Sequence, residues 1–423
     1  MNIKIAGGRV IDPSQSLDKI CDLYISNGVI AALGDAPAGF VPDSTLDATG
    51  QVVCPGLVDL CAHLREPGAT HKGSIAQESQ AAAAGGITTL VAMPTTSPIV
   101  DTPAVAQLIQ DKARAAGKTR VLPMGALTQG LAGEQLSPMH ALASSGCIAF
   151  TNSRRPIRSS LVLMRCLEYA ATHDLLVVFQ AQDAELAGGC MHDDTTSTRL
   201  GLAGIPEAAE TVEVARCLML IEQTDARAHF GQISCERSAR MIMEARERGL
   251  KVSADIAVHH LLLSDSNVNG FDSNFHVIPP LRSQLDRAGL RQALLADGIQ
   301  AICSDHQPHD PIAKQAPFAA TEPGIAGLET LLSLSLMLVE QDVLELPQLI
   351  AKLTWEPAQV LGIQAGTLAP GAPADICVFD PAAHWTPSAA TTRSGGANSP
   401  FMGMELRGQV THTLLGGTTV FQR

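Results

Sequence analysis

The chain of 423 residues has no C-x-x-C pair, no low-complexity tract, no apolar run of membrane-spanning length and no surplus of positive charge. Each absence removes a class of protein. Ten cysteines scattered singly along so long a chain read as reduced thiols, mostly packed as small apolar residues, and exclude a disulfide framework. Lys and Arg total 29 against 42 Asp and Glu, and the net charge of −13 argues against nucleic acid or an anionic membrane as a partner. Met1-Asn2-Ile3-Lys4-Ile5 starts directly on strand-like alternation, so neither a signal peptide nor a membrane anchor is expected and the location expected is cytoplasmic.

What is present is a globular composition, 46% apolar and 17% charged, in a chain too long for one ordinary core. Both ends have β texture. Ile3-Lys4-Ile5-Ala6, Val10-Ile11 and Asp22-Leu23-Tyr24-Ile25 are short strands, and Asn27-Gly28 between alternating runs is a strong hairpin signal. Ala374–Phe379 and Val410–Leu415, followed by Gly416-Gly417, repeat that texture. These segments predict one small β-sandwich domain assembled from both termini, residues 1–51 and 362–423, around a larger domain at 52–361.

In the larger domain, β-branched runs alternate with helical spacing. The strand candidates are Val53–Asp59, Thr88–Met93, Arg120–Gly125, Gly146–Asn152, Leu175–Gln180, Arg227–Ile233, Leu250–Asp255 and Gln300–Asp305. Helices are predicted over Thr102–Ala116, Ser159–His173, Glu207–Gln223, Ser238–Arg248 and Arg282–Ala296. This is the rhythm of an α/β TIM (β/α)8 barrel, with Ala184–Ile205 an irregular loop on its upper face and Ser388–Asn398 a polar loop.

A barrel carries its chemistry at the C-terminal ends of its strands. Those ends hold Asp59, Cys61 and His63; Thr95; Asn152 and Ser153; Gln180 and Gln182; Gln232; Asp255, His259 and His260; and Asp305, His306 and His309. The set is polar yet poor in metal donors, because a carboxamide offers neither charge nor a good nitrogen lone pair.

Asp59–Gly68 resembles the first signature of the type I dihydroorotases, within the cyclic amidohydrolases. Ser304-Asp305-His306-Gln307-Pro308-His309 resembles the second, and Pro317–Thr330 the segment that follows it. Val258-His259-His260-Leu261, Pro279-Pro280-Leu281-Arg282 and Gly366–Asp375 are similar as well, so the resemblance spans essentially the whole chain. The family reaction it implies is reversible ring closure of carbamoyl-aspartate to dihydroorotate, with a metal-bound hydroxide as nucleophile and a carboxylate as proton shuttle. By this resemblance Asp305 is the acid/base and a ligand, His63 a ligand, and Arg65 and His309 grip the substrate carboxylate. The departures are Cys61, Gln180 and Gln232 for His, Ser153 for a bridging Asp, and Thr95 and Ile278 for Asn residues near the substrate.

Four of six implied ligand positions are therefore changed. Without a metal, water keeps a pKa of roughly 15.7 rather than roughly 7 and no nucleophile forms. Among relatives of dihydroorotase, those lacking the ligands are catalytically silent and assemble with aspartate carbamoyltransferase. The expectation is such a subunit, a homo-oligomer inside a larger hetero-oligomer, holding no metal. The alternatives are an active zinc dihydroorotase using Cys61, His63 and Asp305, and an amidohydrolase drifted to another ring substrate. His229, His259 and His260 are expected to be structural, and Cys61, Cys147 and Cys303 to be packed.

Overall fold

The computed structural model describes residues 1–423. Eight parallel strands follow in sequence order: Leu57–Ala62, Ile87–Ala92, Arg120–Ala126, Ala149–Thr151, Val177–Phe179, Ala228–Phe230, Val252–Ala257 and Ala301–Cys303. Helices Pro103–Ala116, Ser160–Thr172, Ala208–Thr224, Glu236–Glu247 and Gln284–Leu295 lie between them, close to their predicted spans. Ser159 and Ser283 cap two of these helices, each side chain accepting a backbone N–H of the first turn. The sheet closes where Ala62 bridges His306. The His63 N–H donates to the His306 carbonyl at 2.8 Å, and the His306 N–H donates to the Cys61 carbonyl at 3.2 Å. Closure therefore sets the residues after the first strand beside those after the last.

The termini build a second unit from a four-stranded and a six-stranded sheet. The larger sheet joins Arg9–Asp12 and Leu17–Ile20 from one end of the chain to Ile376–Trp385, Leu406–Leu415 and Thr418–Gln422 from the other. Ile3, Ile5, Leu23, Val53, Ile376 and Val378 share one core between the two sheets. The hairpin at Asn27-Gly28 forms with both residues at positive φ, 51° and 82°.

Two details differ from the sequence reading. The apolar run read as one strand over Val53–Asp59 is two strands in two sheets. Val52–Pro55 pairs with Ile376–Phe379 and Arg9–Val10, and only Leu57–Ala62 enters the barrel. Gly56 makes the break: a Cβ there would lie 2.2 Å from Thr88. Both strands are buried on both faces, so no polar residue marks the boundary. The insertion at 184–205 is also more regular than expected. Met191–His192 pairs with Gly204–Ile205, and Asp194 caps Thr195–Leu200 with a reciprocal capping box. No helix is long and apolar enough to cross a membrane.

Candidate active site at the barrel mouth

Four mouth residues that are not glycine lie in the left-handed region: Arg65 (φ 62°), Ser153 (52°), Gln232 (50°) and Asp305 (44°). Each costs on the order of 1 kcal/mol, and strain of this kind gathers at functional sites. Three of the four follow directly on the fourth, sixth and eighth strands, at the positions read from the sequence.

Cys61, His63 and Asp305 present donor atoms within 4.8 Å of one another. The Cys61 Sγ–H donates to Asp305 Oδ1 at 3.5 Å, and Gln307 Nε2 donates to the same oxygen at 3.3 Å. Asp305 is 1% exposed, and burial pushes its carboxyl up to about 6 against the pull of the Arg154 guanidinium. Burial, reinforced by Asp305, raises the Cys61 thiol well above the ordinary value, so it is a protonated donor. His63 is held well below its usual value by burial and by Arg65 and Arg154, and its Nδ1 lies 3.0 Å from Thr95 Oγ1.

The opposite wall is a chain of hydrogen bonds. Ser153 Oγ donates to Gln180 Oε1 at 2.8 Å, and Gln180 Nε2 donates to Gln232 Oε1. Gln232 Nε2 then donates to Asp255 Oδ1 at 3.1 Å. Asp255 also accepts the Gln232 N–H at 2.7 Å and faces His229 Nε2 at 2.8 Å. His229 is thus the hydrogen-bonded core histidine expected. Asp59 points away from this chemistry. It accepts from the Ser304 N–H at 2.8 Å and from Ser304 Oγ, tying the first strand to the last.

The groups assigned to substrate are in contact. Arg65 Nε donates to the Pro308 carbonyl at 3.0 Å, and Arg65 Nη2 lies 3.2 Å from His309 Nε2. Burial and Arg65 bring His309 down to about 4, so its ring is neutral. Lys72 stands behind it, 3.4 Å from His309 Nδ1 and 2.5 Å from Glu322. Ile278 lies in the segment before Pro279, whose carbonyl faces His260 Nε2 at 3.2 Å.

A two-metal centre takes imidazoles and a bridging carboxylate. The Ser153–Gln180–Gln232 wall offers a hydroxyl and two carboxamides already committed to one another, so these residues do not fit such a centre. The one donor set of suitable chemistry is Cys61, His63 and Asp305.

Three residues escape the sequence reading. Glu78 is buried beneath the mouth, where its Oε2 lies 2.9 Å from His306 Nε2 while its Oε1 accepts the Gly395 N–H. It is the lone acid of an alanine-rich helix, Ile75–Ala84, and that isolation is a readable signal. Lys72 carries no such signal. Arg154 follows Ser153 directly, and its Nη2 is buried with no hydrogen-bond partner. A cavity of about 290 Å³ lies elsewhere, between His306, Trp385 and Arg423 at the seam with the terminal unit. The mouth is the better candidate because the titratable groups and the strained backbone converge there.

Residues 50–238 match the family model described as Dihydro-orotase-like. The chain is 52% identical over 418 residues to a "Dihydroorotase-like protein" of Pseudomonas aeruginosa, covering 99% of each. It is 44% identical over 427 residues to a "Dihydroorotase" of Geobacter metallireducens, covering 100% of each. Among solved structures, the L-hydantoinase of Arthrobacter aurescens superposes with a TM-score of 0.89 at 24% identity, over 99% of this chain and 96% of that one. That likeness concerns the fold.

Proposed function

The chain belongs to the dihydroorotase-like family, and from that premise we propose that it is a catalytically silent subunit of pyrimidine biosynthesis that assembles with aspartate carbamoyltransferase. The observation that carries this reading is the hydrogen-bonded run from Ser153 through Gln180 and Gln232 to Asp255. It stands where the family resemblance puts metal ligands, and every polar group in it is satisfied without a cation. Losing several ligands removes several kcal/mol of metal-binding energy each, on the order of what empties a site of ordinary affinity. Asp305 retains the place of the proton shuttle, with no activated water for it to serve. Conservation of the fold then serves a surface rather than the mouth, and a partner of stated identity is the economical account of that use.

The test has two arms. Metal analysis and dihydroorotate turnover are measured on the purified chain, and association with aspartate carbamoyltransferase is measured by sedimentation at micromolar concentration. Less than stoichiometric metal, no turnover and a stable hetero-oligomer are expected. Stoichiometric zinc with turnover sinks the silent-subunit reading. Two components that sediment separately sink the assembly.

The 4.8 Å grouping of Cys61, His63 and Asp305 favours a second reading, an active enzyme with a single zinc ion. Against it stands the Cys61 thiol, which must give up a proton that burial and neighbouring carboxylates hold in place.

A further inference from the structure

The cavity of about 290 Å³ at the seam between the barrel and the terminal unit takes no part in the chemistry of the mouth. Its walls divide by character. Leu328, Met402 and the ring of Trp385 make an apolar side, and Arg393 and Arg423 make a basic one. Trp385 Nε1–H donates to Ser333 Oγ at 3.0 Å and to the Gly408 carbonyl at 3.1 Å, so the polar edge of the indole is spent inside the protein. His306 also lines the space, with both ring nitrogens engaged: Nε2 faces Glu78 at 2.9 Å, and Nδ1 accepts the Gly327 N–H at 3.1 Å.

The charge of this cavity is positive in a chain whose net charge is −13. Glu329 is its one carboxylate, and it is committed to the loop at 386–394. Its Oε1 accepts Thr392 Oγ1–H at 2.6 Å and the Arg393 N–H at 2.7 Å, while its Oε2 pairs with Arg393 Nη1 at 3.6 Å. Arg423 has no such partner. Its guanidinium is held by rings instead, with Cζ 5.8 Å from the centroid of Trp385 and 5.9 Å from that of Phe421, and Arg393 Cζ lies 5.0 Å from the same phenyl ring. Both arginines are exposed, so solvent and solutes reach them. One guanidinium is therefore neutralised and the other is free, fixed at the edge of a space with an apolar wall.

We propose that this cavity is a second binding site, one that takes a small carboxylate with an apolar body. The carboxylate meets Arg423, whose planar fork matches it, and the body lies against Leu328, Met402 and Trp385. A single free guanidinium calls for a single negative charge, which favours a carboxylate over a phosphate. The volume is at the low end of small-molecule sites, which begin at roughly 300 Å³, so the ligand is small. The inference is independent of whether the mouth holds a metal. An occupant rests against His306, whose backbone bonds His63 and Cys61 where the first and last barrel strands meet.

Calorimetric titration of the full-length chain with 3-phenylpropionate, its neutral amide and inorganic phosphate tests this. The carboxylate is expected to bind with a millimolar or lower dissociation constant, and the amide and phosphate at least roughly tenfold more weakly. That comparison needs no variant. The chain has two tryptophans, so in Trp355→Phe the indole fluorescence comes from Trp385 alone, and it is expected to change as the carboxylate is added. Arg423→Ala is expected to weaken binding by roughly tenfold to a hundredfold, the usual reach of a charge-assisted hydrogen bond, and Arg423→Lys to recover part of the loss. No binding at millimolar concentration, equal binding of the amide, or equal binding by Arg423→Ala would each overturn the inference. Binding that survives Arg423→Ala and disappears in Arg65→Ala would place the carboxylate at the mouth and overturn it as well.

Discussion

Asp305→Asn should make this protein more stable at alkaline pH and leave it unchanged in acid. Asp305 is 1% exposed, and burial lifts its carboxyl from 3.8 to about 6. A carboxyl raised in the folded state favours folding while it is protonated. That contribution is complete below the unfolded value and is lost as pH climbs through about 6. A rise of roughly two pH units corresponds to about 3 kcal/mol of stability given up by pH 8, as an upper figure, since the nearby Arg154 recovers part of it by attracting the ionised form. Asparagine keeps an acceptor for Cys61 and Gln307 and never ionises, so it avoids that loss. With an unfolding entropy of about 2.1 cal/mol/K per residue, a gain of about 3 kcal/mol raises the melting temperature of a chain this size by about 3 °C. Urea denaturation of both proteins at pH 3.5, below the unfolded value, and at pH 8 measures the gap. A variant less stable at pH 8, or a gap equal at both pH values, refutes the reasoning. The first of these is the behaviour of a carboxylate that holds a metal.

Three other perturbations probe the same architecture. Gln232→Leu preserves volume but strips Gln180 Nε2 of its acceptor and Asp255 of a donor, and a cost of about 1–3 kcal/mol is expected in the urea midpoint; a neutral result would mean water fills the gap unaided. Gly56→Ala places a Cβ 2.2 Å from Thr88 at the point where the chain leaves the terminal unit for the barrel, and a loss of about 1–3 kcal/mol is expected by the same measurement. Glu78→Gln cannot accept from both His306 and Gly395 as the carboxylate does, so faster hydrogen exchange is expected at Gly395–Asn398 and at His306, with the remote hairpin at Asn27-Gly28 unaffected.

The barrel and the two-ended β unit were legible because their signals are periodic. Alternation, helical spacing and Asn27-Gly28 are local properties, and local properties survive in a sequence. The break at Gly56 was not legible, because Val52–Pro55 and Leu57–Ala62 are both buried on both faces and share one apolar alphabet. The mouth was legible residue by residue and not as a network. Ser153, Gln180 and Gln232 could each be placed at a strand end. That they bond to one another, and not to solvent, depends on the stagger of the fourth, fifth and sixth strands, which no single strand records. Arg154 was missed for a related reason. A basic residue in Asn152-Ser153-Arg154-Arg155 reads as an exposed loop, and only the folded chain shows its Nη2 shut away from water.

The direction of the hydrogen bonds explains how such a mouth keeps its shape. A carboxamide carries a donor and an acceptor on one planar group, so two of them can be linked head to tail. Ser153, Gln180 and Gln232 point their donors the same way, and the run ends on Asp255, which has only acceptors. Nothing in it needs a cation. Imidazoles and a carboxylate in those places, without a metal, would turn unpaired lone pairs toward one another in a buried space, at a cost of about 1–3 kcal/mol for each orphaned group. Building a metal site into this run through one residue is therefore uphill. In Gln180→His a ring nitrogen turned to a metal would leave only the other to serve Ser153 and Gln232, so one of them loses its partner for a single new ligand. The hydroxyl and the two amides behave as one unit, satisfied as a set, so a change at any one of them is felt by the other two.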